Sequence, residues 1–219
     1  MLGRYWTSVL IPALVFFVSS SGLAGAAPGP ERHVVVVVWD GMRPDFVSEE
    51  TTPTLCKLAR EGVIFRNHHP VYPSATQVNG TALVTGVYPG TSGVIANYDY
   101  RPEIDPRRSI SVESPEVVRK GDELSGGKYI SVPTIAELIQ HSGGRTVIAA
   151  AKTVGLLLDR HATVTSASQP ISHRQDADAT GMTLFAGKSL PSDAITPIVA
   201  ALGPFPPTHL HRDGWTTKA

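Results

Sequence analysis

The sequence has 219 residues, 42% of them apolar, with 19 basic and 19 acidic side chains and therefore no formal net charge. That length supports one domain with a real core, the apolar content is that of a globular chain rather than a disordered one, and zero net charge without a long basic run argues against a nucleic-acid-binding surface. A single cysteine, Cys56, rules out an internal disulfide.

The chain opens on Met1-Leu2-Gly3-Arg4, continues with an apolar stretch over residues 9–18 broken at Pro12, and reaches small residues that include Ala24-Gly25-Ala26. This pattern reads as a secretory signal peptide over 1–26, its apolar core short for a bilayer span, which takes about 20 residues. A secreted or periplasmic protein that meets a membrane only through export is the expectation. A Pro/Gly linker at 27–32 leads into His33-Val34-Val35-Val36-Val37-Val38-Trp39-Asp40-Gly41. Valine without alternation suits a strand buried on both faces of a parallel sheet, and ligands collect at the carboxyl ends of such strands. Asp40 is therefore placed on the functional edge as a candidate metal ligand, with Gly41 letting the backbone turn close to whatever it binds.

Thr52-Pro53 predicts a helix start, Leu55, Leu58 and Ala59 fall on one face, and Gly62 stops the helix before a short strand at Val63-Ile64-Phe65. The result would be a β-α-β unit with a right-handed crossover. Cys56 lies in that helical pattern and reads as a small buried apolar residue. His68 and His69 are adjacent and precede Pro70, with no carboxylate at ligand spacing, so loop hydrogen bonding or substrate contact is favoured over metal binding.

Tyr72-Pro73-Ser74-Ala75-Thr76 delivers a threonine to the start of a helix predicted over 76–85, at the positive end of its dipole and a good place for an anion. A threonine hydroxyl is a weak nucleophile at neutral pH and needs a base or a metal, for which Asp40 is the first ligand. Asn79-Gly80-Thr81 satisfies the glycosylation sequon, but its place in the nucleophile helix makes the match one of chance, with Gly80 there for close packing. A turn-rich return from the helix ends at Asn97. Its amide can donate to an oxygen that gains charge in a transition state, worth about 3 kcal/mol where such donors have been removed.

Val38-Trp39-Asp40-Gly41, Tyr72-Pro73-Ser74-x-Thr76, Leu83-Val84-Thr85-Gly86-x-Tyr88-Pro89 and Gly93-Val94-Ile95-x-Asn97 together resemble the type I phosphodiesterase/nucleotide pyrophosphatase family of the alkaline phosphatase superfamily. The resemblance is strong over 34–97 and weaker over 132–160. It implies an α/β fold with a mostly parallel sheet and helices on both faces. It also implies a zinc-binding role for Asp40, a nucleophile and zinc ligand in Thr76, and an oxyanion-stabilising role for Asn97. The family's complete site holds two zinc ions and takes further ligands from an Asp-x-x-x-His pair, an Asp-His pair and a distant His. Neither paired motif occurs among the aspartates of this chain.

Residues 98–129 lose periodicity and gain Pro, Gly and charge, an irregular insertion expected to lie near the site. Tyr98 and Tyr100 are candidates for stacking on a base or ring of the substrate, whereas Arg107-Arg108 reads as a solvated pair. A helix follows over 132–139 with Ile135, Leu138 and Ile139 on one face, then Gly143-Gly144 and a strand over 146–150, with Lys152 just past its end as a solvated cation. Residues 154–160 predict a short helix ending in the polar cluster Asp159, Arg160 and His161, which offers no matched ligand pair. Residues 162–167 are strand or loop, 171–180 are weakly patterned, and helical spacing resumes over 193–202. His209 and His211 would pair on a strand edge without a third ligand. The last residues read as the first turn of a helix that does not develop.

Residues 33–219 are thus expected to be the N-terminal portion of a catalytic domain, with the remaining ligands beyond Ala219 and the isolated chain inactive. The reading is a metal-dependent hydrolase of phosphodiester or nucleotide pyrophosphate bonds, working through a covalent threonine intermediate on a small substrate. The alternatives are a phosphonate or phosphate monoester hydrolase of the same superfamily, and a non-catalytic fragment or degenerate relative.

Overall fold

The computed structural model describes residues 32–160 and 181–219. The segment 1–26 expected to be a signal peptide, nearly all of the linker, His161 and the segments 162–167 and 171–180 lie outside the described residues. Two compact units divide the chain, Met1–Met42 and Arg43–Ala219.

In the first unit, residues 33–39 carry no strand and the five valines are exposed. A turn follows, with Gly41 at φ 84° and Met42 N donating to Trp39 O at 3.2 Å. The strand expected at 33–39 is therefore not formed. β-Branched side chains favour strand backbone, but a strand exists only where its peptide groups enter a ladder.

The second unit begins with a 3-10 turn at Pro44–Phe46 and continues through α1 (Pro53–Glu61), α2 (Thr76–Thr85), α3 (Pro89–Ser92), β1 (Tyr98–Asp99), β2 (Ile110–Ser111) and α4 (Pro115–Ser125). Then come α5 (Ile135–His141), β3 (Thr146–Ala150), α6 (Gly155–Leu158), β4 (Gly181–Phe185), β5 (Lys188–Leu190), α7 (Ile195–Leu202) and α8 (His209–Lys218). The class is α/β. β1 and β2 pair antiparallel, Tyr98 opposite Ser111, while β3 and β4 run parallel with Thr146 opposite Gly181 and β5 returns antiparallel along β4.

Local signals explain the elements that match expectation. α1 starts at Pro53 and ends before Gly62; α2 covers residues 76–85 and closes on Gly86 at φ 70°. α5 begins with a capping box in which Glu137 N donates to Thr134 Oγ1 at 3.3 Å and Thr134 N donates to Glu137 Oε2 at 2.6 Å. β3 occupies residues 146–150 as expected.

Four expectations are corrected. Residues 63–65 carry no strand and are exposed, so the β-α-β unit is absent; three apolar residues without a ladder partner do not make one. Residues 98–129 are not irregular throughout, because they hold β1, β2 and the 11-residue α4. The inward face of α4 consists of Val118, Gly121 and Asp122. On α5 the apolar residues face out, Ile135 56% and Leu138 54% exposed, while Ala136 and Gln140 are buried. Gln140 is drawn inward because its Nε2 donates to Asp159 Oδ2 at 2.6 Å. Finally, α8 is a full helix from His209, with Trp215 and Thr216 buried inside it; Trp215 Nε1 donates to Gly203 O at 3.0 Å and its ring meets Phe205 edge-on.

The main core gathers Val94, Ile104, Ile110, Val112, Val118, Tyr129, Ile130 and Leu157. It is centred beside the segment that carries Asn97, and α2 packs nearby through Gly80, where an added Cβ would touch Val154 and Leu158.

Candidate active site

Thr76 is the first residue of α2 and is half-buried. Its helix is preceded by Ala75, which has no side chain able to cap the opening amides. Asn97 supplies the missing acceptor from 20 positions away: Gln77 N donates to Asn97 Oδ1 at 3.2 Å. The carboxamide of Asn97 therefore lies at the mouth of α2, against the residue that follows Thr76.

Asn97 is itself anchored on rigid neighbours. Its carbonyl accepts from the N–H of Val112, a fully buried core residue, at 3.1 Å, and the next two residues form β1. Arg101 closes the segment from the other side. Its Nη2 donates to Gly93 O and its Nε to Asp99 Oδ2, and the guanidinium lies over the Tyr129 ring at 4.7 Å from the centroid. The stretch from Gly93 to Asp99 is thereby held at both ends, with Asn97 between them.

The loop entering α2 is tied by Asn79, whose Oδ1 accepts from Val71 N at 2.8 Å. Sequence reading dismissed the Asn79 sequon as chance, and the amide is committed to backbone instead. The signal that could have singled it out is an asparagine inside a helix, three residues after the candidate nucleophile, where propensity disfavours it.

The remaining candidates divide. Tyr98 is 70% exposed beside Asn97; Tyr100 is also exposed, but its hydroxyl donates to Pro106 O at 3.0 Å and ties the ring to the following loop. Asp40 lies in an exposed turn of the first compact unit, Thr76 in the second. His68, His69 and Lys152 are exposed. Arg108 Nε pairs with Asp105 at 3.0 Å; that carboxyl is held below its usual range first by the N–H of Arg107 and then by Arg108. Asp159 and Arg160 are buried and diverge, Asp159 toward Gln140 and Arg160 into an ion pair with Asp122 in which both side chains are 2% exposed. His209 and His211 lie two apart on a helix, not on a strand edge, so they cannot share a face.

The sequence model of the family described as type I phosphodiesterase / nucleotide pyrophosphatase matches residues 34–182. The chain belongs to that family. Three curated proteins illustrate the likeness. A pyrophosphatase/phosphodiesterase of Schizosaccharomyces pombe described as uncharacterized is 36% identical over 72 residues, 33% of this chain and 15% of that protein. Human ectonucleotide pyrophosphatase/phosphodiesterase family member 1 is 35% identical over 79 residues, 35% of this chain and 8% of its own length. The mouse bis(5'-adenosyl)-triphosphatase is 31% identical over 68 residues, again 31% of this chain and 15% of the relative. The matched stretch thus spans a small fraction of each of these proteins. No solved structure matches the chain significantly.

Members of this phosphodiesterase family are generally zinc-dependent. Among the described residues no three His, Cys, Asp or Glu side chains gather into a group that would hold an ion. Structural and catalytic zinc sites take three or four protein ligands, so the described residues alone do not fit the metal. No helix among them is long and apolar enough to cross a membrane.

Proposed function

We propose that this chain carries the nucleophile and the oxyanion-binding residue of a hydrolase of phosphodiester or nucleotide pyrophosphate bonds, within an alkaline-phosphatase-like domain exported through residues 1–26. The observation that carries the reading is the bond from Gln77 N to Asn97 Oδ1, which puts the carboxamide beside Thr76 at a helix N-terminus. That is where a phosphate oxygen is favoured by the helix dipole and by backbone N–H groups.

In this reading the Thr76 hydroxyl releases its proton to water as the Oγ–P bond forms and the bond from phosphorus to the leaving oxygen breaks, and that oxygen departs with the electron pair. A covalent phospho- or nucleotidyl-threonine results, and water releases it. With its Oδ1 engaged by Gln77 N, Asn97 presents Nδ2 as the donor to a non-bridging oxygen that gains charge. Tyr98, exposed next to Asn97, offers a face for a base or ring of the substrate. Zinc supplies Lewis-acid activation in the family, and no step is assigned to it here because the described residues do not complete a site.

The names of the relatives favour nucleotide pyrophosphates and phosphodiesters over monoesters as substrates. Turnover of bis(4-nitrophenyl) phosphate decides the central point. In the full-length protein Thr76→Ala should reduce it to background, and substantial remaining activity would remove Thr76 from the reaction. A faster rate on 4-nitrophenyl phosphate or phosphonoacetate than on the diester would move the substrate class to monoesters or phosphonates.

A further inference from the structure

Asn79 takes no part in the reaction proposed above, yet every hydrogen bond of its side chain goes to the loop that delivers Thr76. Oδ1 accepts from Val71 N at 2.8 Å, while the two N–H groups of Nδ2 are shared among the carbonyls of Val71 at 3.3 Å, Pro73 at 3.4 Å and Ala75 at 3.2 Å. The carboxamide pairs with the Val71 peptide in both directions, as a neighbouring strand would. The loop has few other means of support, since Pro70 and Pro73 have no N–H to give. Its own backbone contributes one short bond, Ala75 N to Pro73 O at 2.9 Å.

Because Ala75 cannot cap α2, the direction in which residues 71–75 enter the helix is set from within it, one turn past Thr76. Asn97 holds the first turn from outside through Gln77, and Asn79 holds the incoming chain from inside. We propose that Asn79 is a positioning residue that aims the Thr76 hydroxyl by clamping residues 71–75, a role resting on the reading of Thr76 as nucleophile. A reacting atom misplaced by about 1 Å loses about a hundredfold in rate without losing its substrate, so the signature is in kcat rather than KM.

The test compares wild type, Asn79→Ala and Asn79→Asp. Asn79→Asp keeps the acceptor for Val71 N but turns a carboxylate toward three carbonyls, and it serves alone if the alanine variant does not fold. Val118→Ala, which removes a buried core side chain on α4, is the stability control. Readouts are amide exchange at Val71 by NMR and steady-state kinetics on bis(4-nitrophenyl) phosphate. In both Asn79 variants kcat should fall about tenfold to a hundredfold with KM nearly unchanged. Val71 exchange should accelerate in Asn79→Ala, and Val118→Ala should lose stability while keeping kcat. Unchanged Val71 exchange in Asn79→Ala overturns the clamp, and a wild-type kcat in either Asn79 variant overturns the aiming role. With all kinetics run on the full-length protein, a wild type with no turnover sinks the hydrolase reading instead, and the Val71 exchange then decides by itself whether Asn79 holds the loop.

Discussion

In the proposed reaction Asn97 does two jobs with one carboxamide, and the two ends can be separated. Oδ1 accepts from Gln77 N, so an acceptor at that position is what α2 needs; an Nδ2 donor is what a developing oxyanion needs. Asn97→Asp keeps the first and removes the second, and its charge at a helix N-terminus is favourable to folding. Stability of Asn97→Asp in urea should stay near wild type while kcat on an activated diester falls about a hundredfold or more, the usual loss for one such donor. Asn97→Ala should lose both stability and rate. Wild-type turnover in Asn97→Asp would show that Nδ2 touches nothing charged in the transition state. Elsewhere at this scale, charge is spent on structure: Arg108 holds Asp105, and Arg160 meets Asp122 inside the protein. Removing one member of such a buried pair strands the other, which makes these residues poor choices for probing catalysis.

Among the elements, α5 shows how a helix persists with its apolar face turned out. Its burial comes from Ala136 and Gln140, so the capping box at Thr134 and Glu137 carries an unusual share of its stability. Thr134→Ala should cost about 1 kcal/mol, the typical value for losing an N-cap, and an urea midpoint equal to wild type would show that the cap is redundant. The same box explains why this helix was legible in the sequence: Thr134, Glu137 and Gly143 lie within one short window. α1, α2 and β3 were legible for the same reason, through Thr52-Pro53, the proline-bearing loop before Thr76, and an apolar run after a glycine pair. What failed was the part that depends on distant partners. Residues 33–39 and 63–65 have strand composition, but composition does not supply a ladder. The β4–β5 hairpin escaped because its turn is Ala186-Gly187, with Ala186 at φ 46°, and alanine does not announce a left-handed position as asparagine or aspartate would. The place of Thr76 at a helix start was legible because its signals are local; its link to Asn97 was expected only through family resemblance.

For the second compact unit as a whole, the consequential fact is where its core came from. Ile104, Ile110, Val112, Val118 and Tyr129 all belong to the stretch expected to be an insertion, and Val112 holds the Asn97 carbonyl. Loosening this core at Val112, or at Tyr129, which bonds to it, should therefore reach the candidate site through Asn97. Tyr129 lies at its centre, with its hydroxyl donating to Val112 O at 2.9 Å and its ring between Arg101 and Arg160. Burial pushes the phenol up to about 12 against the pull of the two arginines. An unfolded tyrosine titrates near 10, so this contribution is complete below about pH 10 and fades as pH rises toward 12, because the unfolded chain releases its proton first. A shift of that size corresponds to about 3 kcal/mol between those limits. Urea titrations of wild type and Tyr129→Phe from pH 9 to 12 isolate it, since the other alkaline groups are common to both. The wild type's advantage should shrink over that window. An advantage that stays flat across the window would mean that the Tyr129 phenol is not held neutral by the core.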